Sequence, residues 1–142
     1  MYGRKHMSAA VSDIFKKLNL KDQPEILILQ APDSFATETD SLVGVSIKRQ
    51  LDEVDSVEFA LVFVQDQDSI TQFANDIAPI AKGDAILWFA YPKMSSKRYN
   101  TDINRDRGWE VFKELGFKPV RQVAIDEDWS ALRFRKESYI GT

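Results

Sequence analysis

Three uninterrupted apolar runs punctuate the chain: Ile26-Leu27-Ile28-Leu29, Phe59-Ala60-Leu61-Val62-Phe63-Val64 and Ala85-Ile86-Leu87-Trp88-Phe89-Ala90. Runs of this length without alternation are the mark of strands buried on both faces, which is the environment of a parallel sheet covered by helices. Between the second and third, Ile70, Phe73, Ala74, Ile77 and Ile80 recur at helical spacing and end at Gly83. Ser69-Ile70-Thr71-Gln72 fits a capping box for that helix, and Pro79 is expected to kink or shorten it. Upstream, residues 8–20 place Ala10, Val11, Ile14, Phe15 and Leu18 on one helical face, with Ser8 as N-cap. Pro32-Asp33-Ser34 turns into a short helix over about 34–41, and Val43, Val45 and Ile47 alternate with polar residues as a half-buried strand should.

Past Pro92 the pattern changes. A polar, basic stretch leads into a helix expected from Ile103 to Leu115, closed by Gly116 at C′ and Phe117 at C″. Val120–Ile125 and Ser130–Arg135 then read as two strands around the turn-like Asp126-Glu127-Asp128, an antiparallel hairpin. Strand–helix alternation that ends in a hairpin predicts a small Rossmann-like α/β fold. Its sheet is mostly parallel, with helices on both faces and one antiparallel C-terminal pair. The order resembles a pared-down S-adenosylmethionine methyltransferase fold. Residues 8–142 form one domain in this reading, and 1–7 a disordered or added N-terminal piece.

Composition narrows the chemistry. At 142 residues with 44% hydrophobic content, the chain is long enough for one core without metal or disulfide staples. It has no cysteine, which removes disulfides, thiolate nucleophiles and cysteine metal sites. Its one histidine, His6, leaves no partner for a Ser-His-Asp triad or a histidine zinc site, so no metal is expected. The net charge of −3 argues against general nucleic-acid binding, and no apolar run reaches the length of a membrane span. The basic start lacks the apolar region of a signal peptide, so a cytoplasmic location is expected.

The loop after the first buried strand is where dinucleotide and S-adenosylmethionine folds keep glycines, because only glycine lets backbone approach the cofactor. Here it reads Gln30-Ala31-Pro32-Asp33-Ser34, and no Gly-x-Gly occurs anywhere. No cofactor is expected. The segment from Pro92 to Gly108 stands out instead: Lys93, Lys97, Arg98, Arg105 and Arg107 face only Asp102 and Asp106, in a chain that is acidic elsewhere. Such an island at the carboxyl end of a central strand, ahead of a helix N-terminus, suits a phosphate, sulfate or carboxylate. Lys93 and Lys97 would hold the anion and Ser95 and Ser96 would donate hydrogen bonds. Asp102 or Asp106 would orient Arg105 or act as a base. The alternative is a solvated loop with local Asp–Arg pairs.

Of the three tryptophans, Trp88 and Trp109 read as core, with Gly108 permitting close approach of helix and sheet. Trp129 opens the last strand with Arg133 and Arg135 on its face, a spacing that suits an Arg–Trp stack. Asp126-Glu127-Asp128 is expected to be a solvated turn rather than a cation site.

Three segments carry a more specific resemblance: Tyr91-Pro92-Lys93-x-Ser95-Ser96, Asn104-Arg105-Asp106-x-Gly108-Trp109 and Trp129-Ser130-Ala131-Leu132-Arg133-Phe134. With Ile28-Leu29-Gln30-Ala31-Pro32, they resemble a bacterial family of small uncharacterised proteins over most of the chain from about residue 18. The resemblance implies a Rossmann-like, methyltransferase-related domain without cofactor glycines, and carries no activity. Two functions remain open. One is small-molecule or anion binding at the carboxyl end of the sheet, with or without catalysis, which a pocket uniting Lys93, Asp106, Trp129 and Arg133 would favour. The other is a non-catalytic interaction or scaffold domain.

Overall fold

Strand β1 (Glu25–Leu29) lies inside a six-stranded sheet of order β2-β1-β3-β4-β6-β5. The computed structural model describes residues 12–140. The 1–7 segment, His6, the Ser8 cap and the Ala10 and Val11 positions lie outside the described residues. The other strands are β2 (Ser46–Lys48), β3 (Val57–Phe63), β4 (Ala81–Pro92), β5 (Phe117–Ala124) and β6 (Trp129–Lys136). The first four in space run parallel, while β6 pairs antiparallel with both β4 and β5. This is the mostly parallel α/β sheet with a C-terminal hairpin that the hydrophobic pattern predicts.

Side-chain alternation sorts the core into two layers. On one face Leu27, Leu29, Ala60, Val62, Leu87, Phe89 and Phe134 meet Ile70, Ala74 and Ile77 of α3 (Gln67–Ile77) and Phe112 of α4 (Glu110–Glu114). Phe112 and Phe134 stack at 3.8 Å, with Phe89 edge-on to Phe112 at 4.9 Å. On the other face Ile26, Ile28, Phe59, Leu61 and Trp88 meet Phe15 and Leu18 from α1 (Asp13–Lys17) and its C-cap, and Phe35. Trp88 is fully buried, and its indole Nε1–H donates to the Leu18 carbonyl at 2.7 Å, tying the end of α1 to the sheet. A buried indole without that acceptor would lose about 1–3 kcal/mol.

Several boundaries differ from expectation. The helix expected over 34–41 is a 3-10 turn at Asp33–Phe35 followed by α2 (Ala36–Asp40). The second strand is only Ser46–Lys48, since Val43 is 64% exposed and Gly44 sits at a left-handed φ. Helix α3 starts earlier than the capping box implies. Asp66, not Ser69, is its N-cap, and the Asp66 carboxylate accepts the Ser69 amide at 2.8 Å. Pro79 does shorten it, within a 3-10 turn at Ala78–Ile80, but Gly83 belongs to the irregular opening of β4 rather than to a helix end.

The largest difference is at 103–115, where only Glu110–Glu114 is helical. Asn104 instead bridges to Arg107, its side chain accepts the Asp106 amide at 2.8 Å, and its carbonyl accepts from Trp109 Nε1 at 2.8 Å. Gly108 then takes φ +106, outside the helical range. Its close approach is to α3 and not to the sheet, because a Cβ there would stand 3.2 Å from Gln67 Cγ.

Replacing Asp66 by Ala should cost about 1 kcal/mol of stability, the usual worth of an N-cap, read by urea denaturation. The carboxyls of Asp66 and Asp84 lie below the ordinary aspartate value of 3.8. The Ser69 amide holds the first and the Arg135 guanidinium the second. A lowered folded pKa means that their contribution is complete above about pH 4 and drains away as the pH falls through the depressed values. Asp66→Asn should therefore flatten the acid limb of the stability curve, and an acid titration of both proteins checks it.

Candidate functional site

Parallel strands end in loops on a common edge, and the order of this sheet reverses at β1: the chain moves outward to β2, then crosses back to β3 on the other side. The loops leaving β1 and β3 therefore diverge and leave a crevice between them, the place where open α/β sheets take ligands. A hollow of about 810 Å³ occupies it, lined by Gln30–Ser34 from the first loop and by Gln65, Asp66 and Ser69 from the second.

The first loop begins with strain. Gln30 adopts φ +61, a left-handed conformation that costs a residue with a Cβ roughly 1–2 kcal/mol. Pro32 follows with no amide to donate, and its carbonyl accepts the Phe35 N–H at 2.9 Å to start the 3-10 turn. In the second loop the amides at the N-terminus of α3 are largely committed: Ser69 N–H to the Asp66 carboxylate, and Gln67 N–H to the Asp102 carboxylate at 3.0 Å.

The third wall comes from the basic segment after β4. Thr101 donates to the Gln65 carbonyl at 2.7 Å, and the Gln67 side chain donates to the Asp102 carbonyl at 3.2 Å, so this segment is pinned beside α3. At its other end, Ser96 Oγ donates to the Asp128 carboxylate at 2.8 Å and accepts the Arg98 and Tyr99 amides, each at 3.2 Å. These bonds set Tyr99 over Trp129 (ring centroids 4.9 Å apart), with Phe63 against the same indole at 5.0 Å. Trp129 is 2% exposed, lines the hollow, and its Nε1–H has no partner among the described residues. Arg98 and Tyr99 close the rim.

The residues nominated from sequence do not all meet. Lys93, Ser95, Arg105 and Asp106 share an open hollow of about 530 Å³ with Tyr91, whose hydroxyl accepts from Gln122 and is pushed up in pKa chiefly by burial. Ser95, Ser96 and Lys97 line a second hollow of about 610 Å³ beside Glu127 and Asp128. Trp129 lines the large crevice, and Arg133 lines none of the three. None of these three hollows unites Lys93, Asp106, Trp129 and Arg133, the pocket that would have favoured a ligand site there. No α-helix starts at 103, so that N-terminus does not face the lysines. Trp129 packs on Tyr99 and Phe63 rather than on an arginine. Asp126 does form the expected turn, its carboxylate accepting the Asp128 and Trp129 amides. Gln30, Asp33, Ser34, Gln65, Asp66 and Tyr99 line the large crevice, and no motif in the sequence marks them as a binding set. The rule that ligands sit at strand carboxyl ends points to them once β1 and β3 are known to be neighbours.

Arg105 reaches Asp106 at 3.7 Å with both side chains exposed, whereas Asp102 bonds to α3 and not to Arg105. Arg105→Ala should therefore leave hydrogen exchange across 92–108 unchanged. Asp102→Ala, which also frees the Gln67 amide, should speed exchange there while protection in β3 and β4 persists.

No family model matches the chain, and no curated protein matches it in sequence. Solved structures do match in shape. A mitomycin 7-O-methyltransferase, MmcR, superposes with TM-score 0.62 at 10% identity over 93% of this chain and 54% of its own. An S-adenosylmethionine-dependent methyltransferase from Aquifex aeolicus gives 0.60 at 11% identity, covering 95% of this chain and 99% of its own. Magnesium protoporphyrin IX methyltransferase from Synechocystis PCC 6803, solved with bound S-adenosylmethionine, gives 0.54 at 9% identity, covering 93% and 78%. The chain thus spans about half of MmcR and nearly all of the Aquifex protein. Among the described residues no helix is long and apolar enough to cross a membrane. At these identities the likeness is one of fold, and the fold is methyltransferase-like.

Proposed function

We propose that this domain binds a small polar organic molecule in the crevice between the carboxyl ends of β1 and β3. The observation that carries this reading is the coincidence of a hollow of about 810 Å³ with the point where the strand order reverses. Its lining suits a ligand with hydroxyl or amide groups, since Gln30, Ser34, Gln65 and Gln72 offer donors and acceptors beside an aromatic wall at Tyr99 and Trp129. From the basic island, Arg98 is the cation at this rim, 3.9 Å from the Asp128 carboxylate, and Asp33 and Asp66 are the acidic groups of the same lining. Lys93 and Lys97, with Ser95 between their hollows, supply further positive charge on the same end of the sheet.

S-adenosylmethionine, which the fold suggests, does not fit the first loop. The position leaving β1 carries the Gln30 side chain at a left-handed φ where a cofactor loop keeps glycine, and Pro32 has no amide to give. The strain at Gln30 is retained in spite of its cost, as strained residues at ligand sites are.

Thermal-shift and calorimetric titrations with S-adenosylmethionine, nucleosides, nucleotides, sugar phosphates and small carboxylates test the reading. S-adenosylmethionine should leave the protein unchanged. A member of the other classes should stabilise it by about 2.7 kcal/mol at a hundredfold excess over Kd and shift the Trp129 indole N–H resonance. Gln30→Gly should raise the ligand-free Tm by relieving strain and weaken that ligand. Micromolar binding of S-adenosylmethionine, or a Trp129 resonance unmoved by every class, would overturn the proposal. An interaction domain is the reading that remains in the second case, in keeping with the internal bonding of Ser96 and Asp102.

A further inference from the structure

The C-terminal hairpin sets two arginines face to face. Arg121 of β5 stands directly across from Arg133 of β6, and Lys118 stands across from Arg135. The pleat puts Arg133 and Arg135 on the same face of β6, so three guanidinium groups crowd one patch of sheet. Like charges opposed across an antiparallel pair destabilise it. The neighbouring carboxylates relieve the Arg121–Arg133 pair only in part. Asp84 is taken by Arg135, whose Nε donates to its two oxygens at 2.9 and 3.1 Å and whose Nη2 donates at 2.7 Å. Glu137 lies 3.9 Å from Lys118.

Among the described residues neither Arg121 nor Arg133 has an ion-pair partner. Arg133 Nε is buried without a hydrogen-bond acceptor, and among the described residues the other orphaned buried side-chain polar atom is the Trp129 indole nitrogen. Burial first, then the charge of Arg135, pulls the Arg133 pKa below its usual value, with Asp84 opposing and Arg121 adding to the fall. A half-buried cation with an unused donor, held opposite a second cation, is a costly arrangement unless an anion completes it.

We infer that Arg121 and Arg133 form a binding site for a phosphate-type oxyanion on the hairpin face that also carries Trp129 and Ala131. A guanidinium presents a planar fork of donors that matches two oxygens of such a group. An oxyanion at the accessible ends of the Arg121 and Arg133 guanidinium groups would replace mutual repulsion by two attractions, with the sealed Arg133 Nε–H beside it as the reporter. The site is separate from the β1–β3 crevice, which Arg133 does not line, so it stands or falls independently of the ligand proposed there. A free phosphate ion and the phosphate of a monoester share this chemistry.

The test uses the full chain and arginine Nε–H resonances, titrated with inorganic phosphate and with glycerol 3-phosphate against sodium chloride at matched ionic strength. The Arg133 Nε–H signal should shift saturably with phosphate or its ester and not with chloride, and Tm should rise with it. Arg121→Gln should raise the anion-free Tm by about 1–4 °C, since it removes a like-charge cross-strand pair. The same change should weaken phosphate binding roughly 10–100-fold. Arg133→Lys keeps the charge, loses the fork, and should also bind more weakly. A response to the ester alone supports the site as a pocket for phosphate carried on a larger molecule. The inference is overturned by an Arg133 signal that does not move, by an equal shift with chloride, or by phosphate binding in Arg121→Gln as tight as in the parent chain.

Discussion

From Ala85 to Pro92 strand β4 is buried on both faces and paired on both edges, and the rest of the molecule is arranged around that double demand. Its Leu87, Phe89 and Tyr91 belong to the layer under α3 and α4, while Ile86, Trp88 and Ala90 belong to the layer under α1. A strand in this position has no face to give to water, so each neighbour must satisfy it from a different direction. The parallel partner β3 is joined to β4 by a crossover, which α3 provides, and the antiparallel partner β6 arrives by the hairpin from β5. Beyond β4 the chain crosses once more, through α4, to β5, which runs parallel to β4, and the hairpin then returns β6 into the gap between them. Pro119 is tolerated because β5 is the outer strand and is irregular at that point.

The same strand delivers the segment that shapes the carboxyl end of the sheet. Leaving β4 at Pro92, the chain is drawn toward β6 by the Lys93 amide on the Asp128 carbonyl and by Ser96 on the Asp128 carboxylate. It is then drawn toward α3 by Thr101 and Asp102. The polar residues here are mostly engaged with other loops, and the space they enclose lies one strand over, above β1 and β3. The basic island also helps to wall a neighbouring crevice, with Arg98 and Tyr99 as its contributions.

How much of the site is legible in the sequence follows from what each residue depends on. Trp88 and Phe134 announce themselves as core by their apolar neighbours in sequence, and both are fully buried. Trp129 stands out in the sequence as well, but its partners Phe63 and Tyr99 come from distant segments that periodicity cannot pair. Ser69 offers a local capping pattern as good as that of Asp66, and the choice between them depends on where the chain leaves β3. The helix expected from Ile103 fails for a related reason. Its apolar spacing is genuine, yet Asn104 and Gly108 form a local turn that Trp109 closes with a hydrogen bond.

By itself, the order of residues determined the elements and the class of fold. Both-face burial demands unbroken apolar runs, one-face burial demands period 2 or 3.6, and these demands are met within a few consecutive residues. The glycine-free loop after β1 was equally a property of sequence alone. Tertiary structure decided which strands are neighbours, and with that where the crevice lies, which cations reach it and which two arginines are opposed. The strand neighbours depend on backbone hydrogen bonds between segments tens of residues apart and the opposed arginines on the register of one hairpin, and neither leaves a periodic trace in a single segment. Gln30 shows both halves of the division. Its identity excludes a glycine cradle, but only the path from β1 into the 3-10 turn at Asp33–Phe35 forces it into a left-handed conformation beside the hollow.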